Sequence, residues 1–119
     1  MQNGAQAYAR MAQRTANPRE RDAQLLLRAA ARFTAVQNTE PFDRKAAREA
    51  ATFNRKLWTI FLSSVMRAEN PLDAETKANL RRIALFSLNR SSRIEINPEA
   101  AGMTALISIN RNVAEGLKN

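Results

Sequence analysis

Any chemistry this chain performs has to come from carboxylates, lysines, arginines, hydroxyls and one phenol, because its 119 residues include no histidine and no cysteine. Imidazole and thiolate metal ligands, Ser-His triads and Cys nucleophiles are therefore excluded together. The densest carboxylate group is Glu69, Asp73 and Glu75, beside Asn70-Pro71. Its spacing suits helix-end charge, with Asp73 as a cap and Glu75 in a positive first turn, and one loop supplies too few convergent oxygens for a metal ion. Gly4, Gly102 and Gly116 are isolated, so there is no glycine-rich phosphate cradle. These residues predict no enzyme and no cofactor.

Positive charge offers a different chemistry. The formal net charge is +8, and residues 1–60 hold eleven bases against five acids, whereas the rest hold eight against six. Arg44, Arg48 and Arg55 fall at spacings of four and seven and predict one outward helical stripe beside Lys45 and Lys56. Such a stripe is a solvated face, a surface for an acidic protein, or a backbone contact for RNA. An RNA reader would add exposed aromatic side chains for stacking, and aromatics are only 6% of the chain, mostly at core spacings.

The apolar residues point to protein binding. Trp58, the only tryptophan, sits among Leu57, Leu62 and Val65, and it is either the centre of the core or an anchor in a partner groove. Asn110 interrupts an apolar stripe, so it needs a bonding partner inside the fold or serves as a polar specificity point. The narrow stripe around it also allows a last helix that swings aside and uncovers a groove. With Phe86 as a further apolar contact and Arg55 and Arg111 as charged edges, these are the candidate partner-binding residues.

Helices must position all of these. Composition is rich in Ala, Leu, Arg, Gln and Glu with three glycines, and 45% of residues are apolar, which predicts an all-α domain over 1–119. Pro18, Pro41, Pro71 and Pro98 read as joints. A short helix fits Ala5, Tyr8, Ala9 and Ala12, with Arg10 and Arg14 on its opposite side. A second runs from Asn17-Pro18-Arg19-Glu20, a capping signal, to about Gln37, with Ala23, Leu26, Leu27, Ala30, Phe33 and Thr34 inward. The third, Asp43 to about Ala68, carries two adjacent apolar stripes, through Phe53, Leu57 and Ile60 and through Ala51, Trp58 and Val65, and is predicted to be central. The fourth runs from Asp73 to about Arg90. Asn89–Asn97 reads as a polar loop, Asn97-Pro98-Glu99 as the next helix start, and Met103, Leu106, Ile107, Asn110, Val113, Ala114 and Leu117 as the last stripe, closed by Gly116. The prediction is a compact antiparallel bundle of about five helices. The longest apolar stretch, Leu57–Leu62, is far short of the ~20 residues of a membrane span, and no secretory signal opens the chain, so a soluble cytoplasmic protein is expected.

Several of these stretches together resemble the FlaF family, small alphaproteobacterial proteins that regulate flagellin synthesis and flagellum assembly. They are Tyr8-Ala9, Asn17-Pro18-Arg19-Glu20, Asn54-Arg55-Lys56-Leu57-Trp58-Thr59, Glu69-Asn70-Pro71-Leu72, Ile109-Asn110-Arg111 and Ala114-Glu115-Gly116-Leu117. The departure is at Phe86-Ser87, where a further bulky aromatic is expected. The resemblance implies a cytoplasmic, non-enzymatic helper of flagellin production or delivery. Flagellin is then the expected partner, with the FlbT regulator or the export machinery as further ones. A basic RNA-binding regulator of flagellin mRNA is the alternative, and salt dependence separates the two.

Overall fold

The computed structural model describes residues 18–118, which form four helices: α1 Pro18–Gln37, α2 Arg44–Val65, α3 Ala74–Ile96 and α4 Met103–Lys118. The expected short helix around Ala5–Ala12 and the Asn17 cap lie outside the described residues.

Capping chemistry sets the starts of α2 and α3. Asp43 accepts a bond from the Ala46 amide at 3.0 Å, and Asp73 accepts one from the Thr76 amide at 2.7 Å. Bonds from the Thr76 side chain and amide hold the Asp73 carboxyl below its ordinary pKa. α2 stops at Val65, short of the predicted Ala68, because Asn70 closes it. The Asn70 amide donates to the Ser64 carbonyl at 3.1 Å while its oxygen takes the Leu72 amide at 3.0 Å, which turns the chain at Pro71.

Two predicted boundaries are corrected. α3 continues through the expected loop at 89–97 to Ile96, because Ser87, Ser91 and Ile94 extend its buried face at spacings of four and three. Asn97 does not start the next helix; it ends α3, its amide bonding the Arg93 carbonyl at 2.9 Å. The chain then passes the buried Pro98 and turns at Gly102, whose φ of +90° suits glycine. Gly116, expected to terminate the last helix, lies within α4.

The four helices form an antiparallel all-α bundle in which α1 packs along α4 and α2 along α3, with α1 and α2 joining the two pairs. The interior has two apolar clusters. One gathers Phe33, Val36, Ala50, Ile94, Met103 and Leu106; the other gathers Leu26, Trp58, Phe61, Val65, Ala84 and Ala114. Along α2, α3 and α4 the residues between these clusters are polar: Asn54, Ser87 with Ser91, and Asn110, all buried. α1 contributes the small, buried Ala29 at that level.

Candidate functional site

The polar level is one connected network. Trp58 Nε1 donates to Asn110 Oδ1 at 2.9 Å, Asn110 Nδ2 donates to Asn54 Oδ1 at 2.8 Å, and Asn54 Nδ2 donates to Ser87 Oγ at 3.0 Å and Ser91 Oγ at 2.9 Å. Three helices are tied by four bonds, and among the described residues no buried side-chain polar atom lacks a partner. The Trp58 ring also meets Phe61 edge-on, with centroids 5.3 Å apart. Trp58 and Asn110 thus take the first of the two roles open to each: core packing for the tryptophan, and for the asparagine a bond that fixes the last helix.

The predicted outward basic stripe is turned onto α3. Antiparallel packing sets the first half of α2 beside the last turns of α3, where free carbonyls carry the negative end of the helix dipole. Arg44 Nη1 donates to the Pro98 carbonyl at 3.2 Å and Arg48 Nε to the Glu95 carbonyl at 3.0 Å. Arg55 Nε meets Glu95 Oε1 at 2.7 Å, and Thr52 donates to the other Glu95 oxygen at 2.7 Å. Burial pushes the Glu95 carboxyl up, but the bonds from Arg55 and Thr52, with the charges of Arg55 and Lys56, outweigh it and hold the group below its ordinary pKa. The bond to Glu95, and its charge, push the Arg55 guanidinium up in turn. These three bases act as a strap on the end of α3, which explains why the polar 89–97 stretch is helical.

A cleft of about 330 Å³ opens at the other end of the bundle, between the start of α1, the end of α2, the 66–73 joint and the end of α4. Phe61 and Val65 form its floor, Pro18, Leu72 and Leu117 its walls, and Asp22 its edge. Burial raises the Asp22 carboxyl above its ordinary pKa, against the lowering charge of Arg21.

The candidate partner residues therefore divide. Trp58, Val65 and Asn110 are enclosed, not set in an open groove, although Val65 shows its edge to the cleft. Leu57 and Leu62 are half-buried against the same cluster. Phe86 is 44% exposed, with the Arg90 guanidinium 5.0 Å from its ring centre, and Arg111 is exposed on α4. Arg55 is committed to Glu95. Of the two predicted stripes on α2, the one through Trp58 is buried, whereas Ile60 is 70% exposed. None of Asn54, Ser87, Ser91 and Glu95 was expected at the site, although Asn54 and Ser87 stand in the stretches compared with the FlaF family. The available signal was a polar residue at core spacing in each of three segments: Asn54 four before Trp58, Ser87 and Ser91 between Ala84 and Ile94, and Asn110.

Among the described residues no helix is long and apolar enough to cross a membrane, and no three Asp or Glu side chains converge as metal ligands would. Fold and site define a small all-α protein with a polar-pinned interior and an apolar cleft at one end. The chain belongs to the FlaF family: residues 4–117 match the family described as flagellar protein FlaF. It is therefore a flagellar protein. No curated protein and no solved structure matches the chain.

Proposed function

We propose that this protein acts in flagellum biogenesis by binding flagellin directly, as a chaperone-like, non-enzymatic factor in the cytoplasm that couples flagellin synthesis to its delivery. The observation that carries the reading is the apolar cleft lined by Phe61, Val65, Leu72 and Leu117 at the end of the bundle where α1 starts. A concave apolar site with a polar edge suits one face of an amphipathic helix, and flagellin's terminal segments are of that kind. Ile60 near the end of α2, Met66 just after it and Phe86 on α3 are further exposed apolar side chains that can add contacts. Hand-over to the export machinery, or action alongside FlbT, follows from the same binding.

Binding of flagellin mRNA is the second reading, and the strap disfavours it. Arg44, Arg48 and Arg55 each spend a guanidinium N–H on Pro98 or Glu95, so part of the stripe that suggested a phosphate contact is already engaged within the molecule, although Arg44 and Arg48 stay exposed. Co-purification separates the readings. Flagellin is expected to stay bound through high salt and nuclease treatment, and Leu117→Asp, which sets a charge in the cleft wall, is expected to release it while the helical melting transition persists. Loss of flagellin from the unaltered protein under those washes would refute direct capture.

A further inference from the structure

α3 stands at the edge of the bundle. It packs along α2, meets α4 only briefly and does not touch α1, so its outer face has no partner within the described residues. That face is apolar in part: Leu85 is 48% exposed and Ile96 82%, with Phe86 exposed beside them. Leu85, Asn89, Ser92 and Ile96 follow at spacings of four, three and four, as do Arg82, Phe86, Asn89 and Arg93, so the two rows share one side of the helix. Residues 76–94 carry Lys77, Arg81, Arg82, Arg90 and Arg93 and no acid. Lys77 is spent on the Arg67 carbonyl and Arg82 bonds Asn79, whereas Arg81 and Arg93 are exposed and Arg90 lies over the Phe86 ring. The acids nearby lie at the ends of the helix: Asp73 and Glu75 at its start, Glu95 held by Arg55 and Thr52, and Glu99 beyond it, bonded by the Asn97 side chain at 3.0 Å. Of its neighbours, α2 brings Arg48 and Arg55 to the end of α3, and α4 carries Arg111, Glu115 and Lys118.

We propose that this face of α3 binds the surface of an anionic membrane peripherally, with Leu85 and Ile96 entering the headgroup region and the arginines of α3 meeting lipid phosphates. An edge helix is a convex ridge, which meets a flat surface along its length, and peripheral binding combines buried apolar area with attraction of basic side chains to anionic lipid. Arginine suits that place, because its fork pairs with phosphate while its stem lies along apolar surface. No residue of α3 lines the cleft, so the contact leaves the cleft open and stands without the flagellin reading.

Sedimentation of the full-length protein with phosphatidylglycerol–phosphatidylcholine vesicles tests this. Binding is expected at physiological salt, and none to phosphatidylcholine alone. Arg82→Gln with Arg93→Gln should weaken it about thirtyfold. Arg21→Gln with Arg28→Gln removes the same charge from exposed positions on α1 and should weaken it less than about threefold, because an intervening helix exceeds the screening length. Leu85→Ser with Ile96→Ser should cost at least about tenfold, and as exposed changes all three pairs should leave thermal melting close to the parent's. The chain has no cysteine, so a fluorophore at Asn89→Cys, on the face, should shift to the blue on the anionic vesicles, while the same label at exposed Gln24→Cys on α1 should not. Equal losses for the two arginine pairs would reduce the effect to overall charge and overturn the proposal. So would indifference to the serine pair, equal shifts at the two labels, or no binding to the anionic vesicles, the last leaving the face to an acidic protein.

Discussion

Truncating Asn110 to Ala is the sharpest probe of the interior, because one side chain serves two partners. Its oxygen takes the Trp58 indole N–H and its amide serves the Asn54 oxygen, all in fully buried surroundings. Removing it leaves a buried donor and a buried acceptor unpaired, each costing about 1–3 kcal/mol, with a smaller addition for the space vacated. The expected loss is about 3–5 kcal/mol, a large part of the roughly 5–15 kcal/mol that holds a domain together. At this chain length that lowers the melting temperature by about 12–20 °C. Ile107→Val, a buried change one turn away on the same helix with no polar partner, should cost only about 0.5–1.5 kcal/mol. Urea unfolding followed by Trp58 emission and by far-ultraviolet circular dichroism measures both. A cycle with Trp58→Phe, which removes the indole N–H, should show a coupling energy of about 0.5–3 kcal/mol. A loss below about 1 kcal/mol for Asn110→Ala, or a cycle without coupling, would refute the argument that the polar level organises the bundle.

Glu95 has a lowered pKa in the folded protein, so its stabilising contribution is present above its unfolded pKa and is lost as pH falls through the folded value. Melting as a function of pH should therefore show the parent protein more stable than Glu95→Gln at neutral pH, with the difference closing below roughly pH 4. Arg44→Ala with Arg48→Ala removes the strap, and amide exchange at residues 93–97 should accelerate while global stability falls by only about 0.5–1 kcal/mol, since both arginines are exposed. The two glycines should respond oppositely. Gly102→Ala forces a side chain onto a positive φ and toward the Arg90 guanidinium, costing about 1–2 kcal/mol. Gly116→Ala, in a helix with open space around it, should gain about 0.5–1 kcal/mol. Thermal melting reads both signs.

What the sequence made legible was whatever depends on near neighbours. Asp73 caps the helix that follows it, the third segment starts at Asp43, Pro18–Gln37 has the predicted bounds, and Met103, Leu106, Ile107, Asn110 and Ala114 line the buried stripe of α4. What was not legible depends on contacts between helices. Residues 89–97 look like a loop because Asn89, Arg90, Ser91, Ser92 and Arg93 carry no apolar periodicity. Their helix is secured from outside, by Asn54 on Ser91 and by Arg48 and Arg55 on Glu95. The same partnership explains why three arginines that read as a solvated or nucleic-acid-facing stripe bond the end of α3 while two of them, Arg44 and Arg48, stay exposed. Phe61 escaped notice for a related reason. It lies between the two stripes of α2, and only the arrival of α1 and α4 makes that position interior.

The polar level answers a problem that this sequence sets for itself. Ala23, Ala30, Ala47, Ala50, Ala51, Ala84 and Ala114 line part of the helix contacts, between larger side chains such as Leu26, Phe33, Trp58 and Met103, and where one methyl group meets another the surface is nearly smooth. Apolar burial scales with area and has no direction, so on such faces a helix displaced by one turn loses little of it. A displacement of α2 along α4 by about 5.4 Å, however, would break the bonds of Trp58 and Asn54 to Asn110 and leave their polar atoms unsatisfied. Hydrogen bonding thus reinforces the register where alanines meet, beside the shape of Leu26, Phe33, Trp58 and Met103, as a single polar residue does in other helical assemblies. The cleft depends on that register, because Pro18, Phe61 and Leu117 come from three different helices and line one concavity only when those helices are held in this alignment.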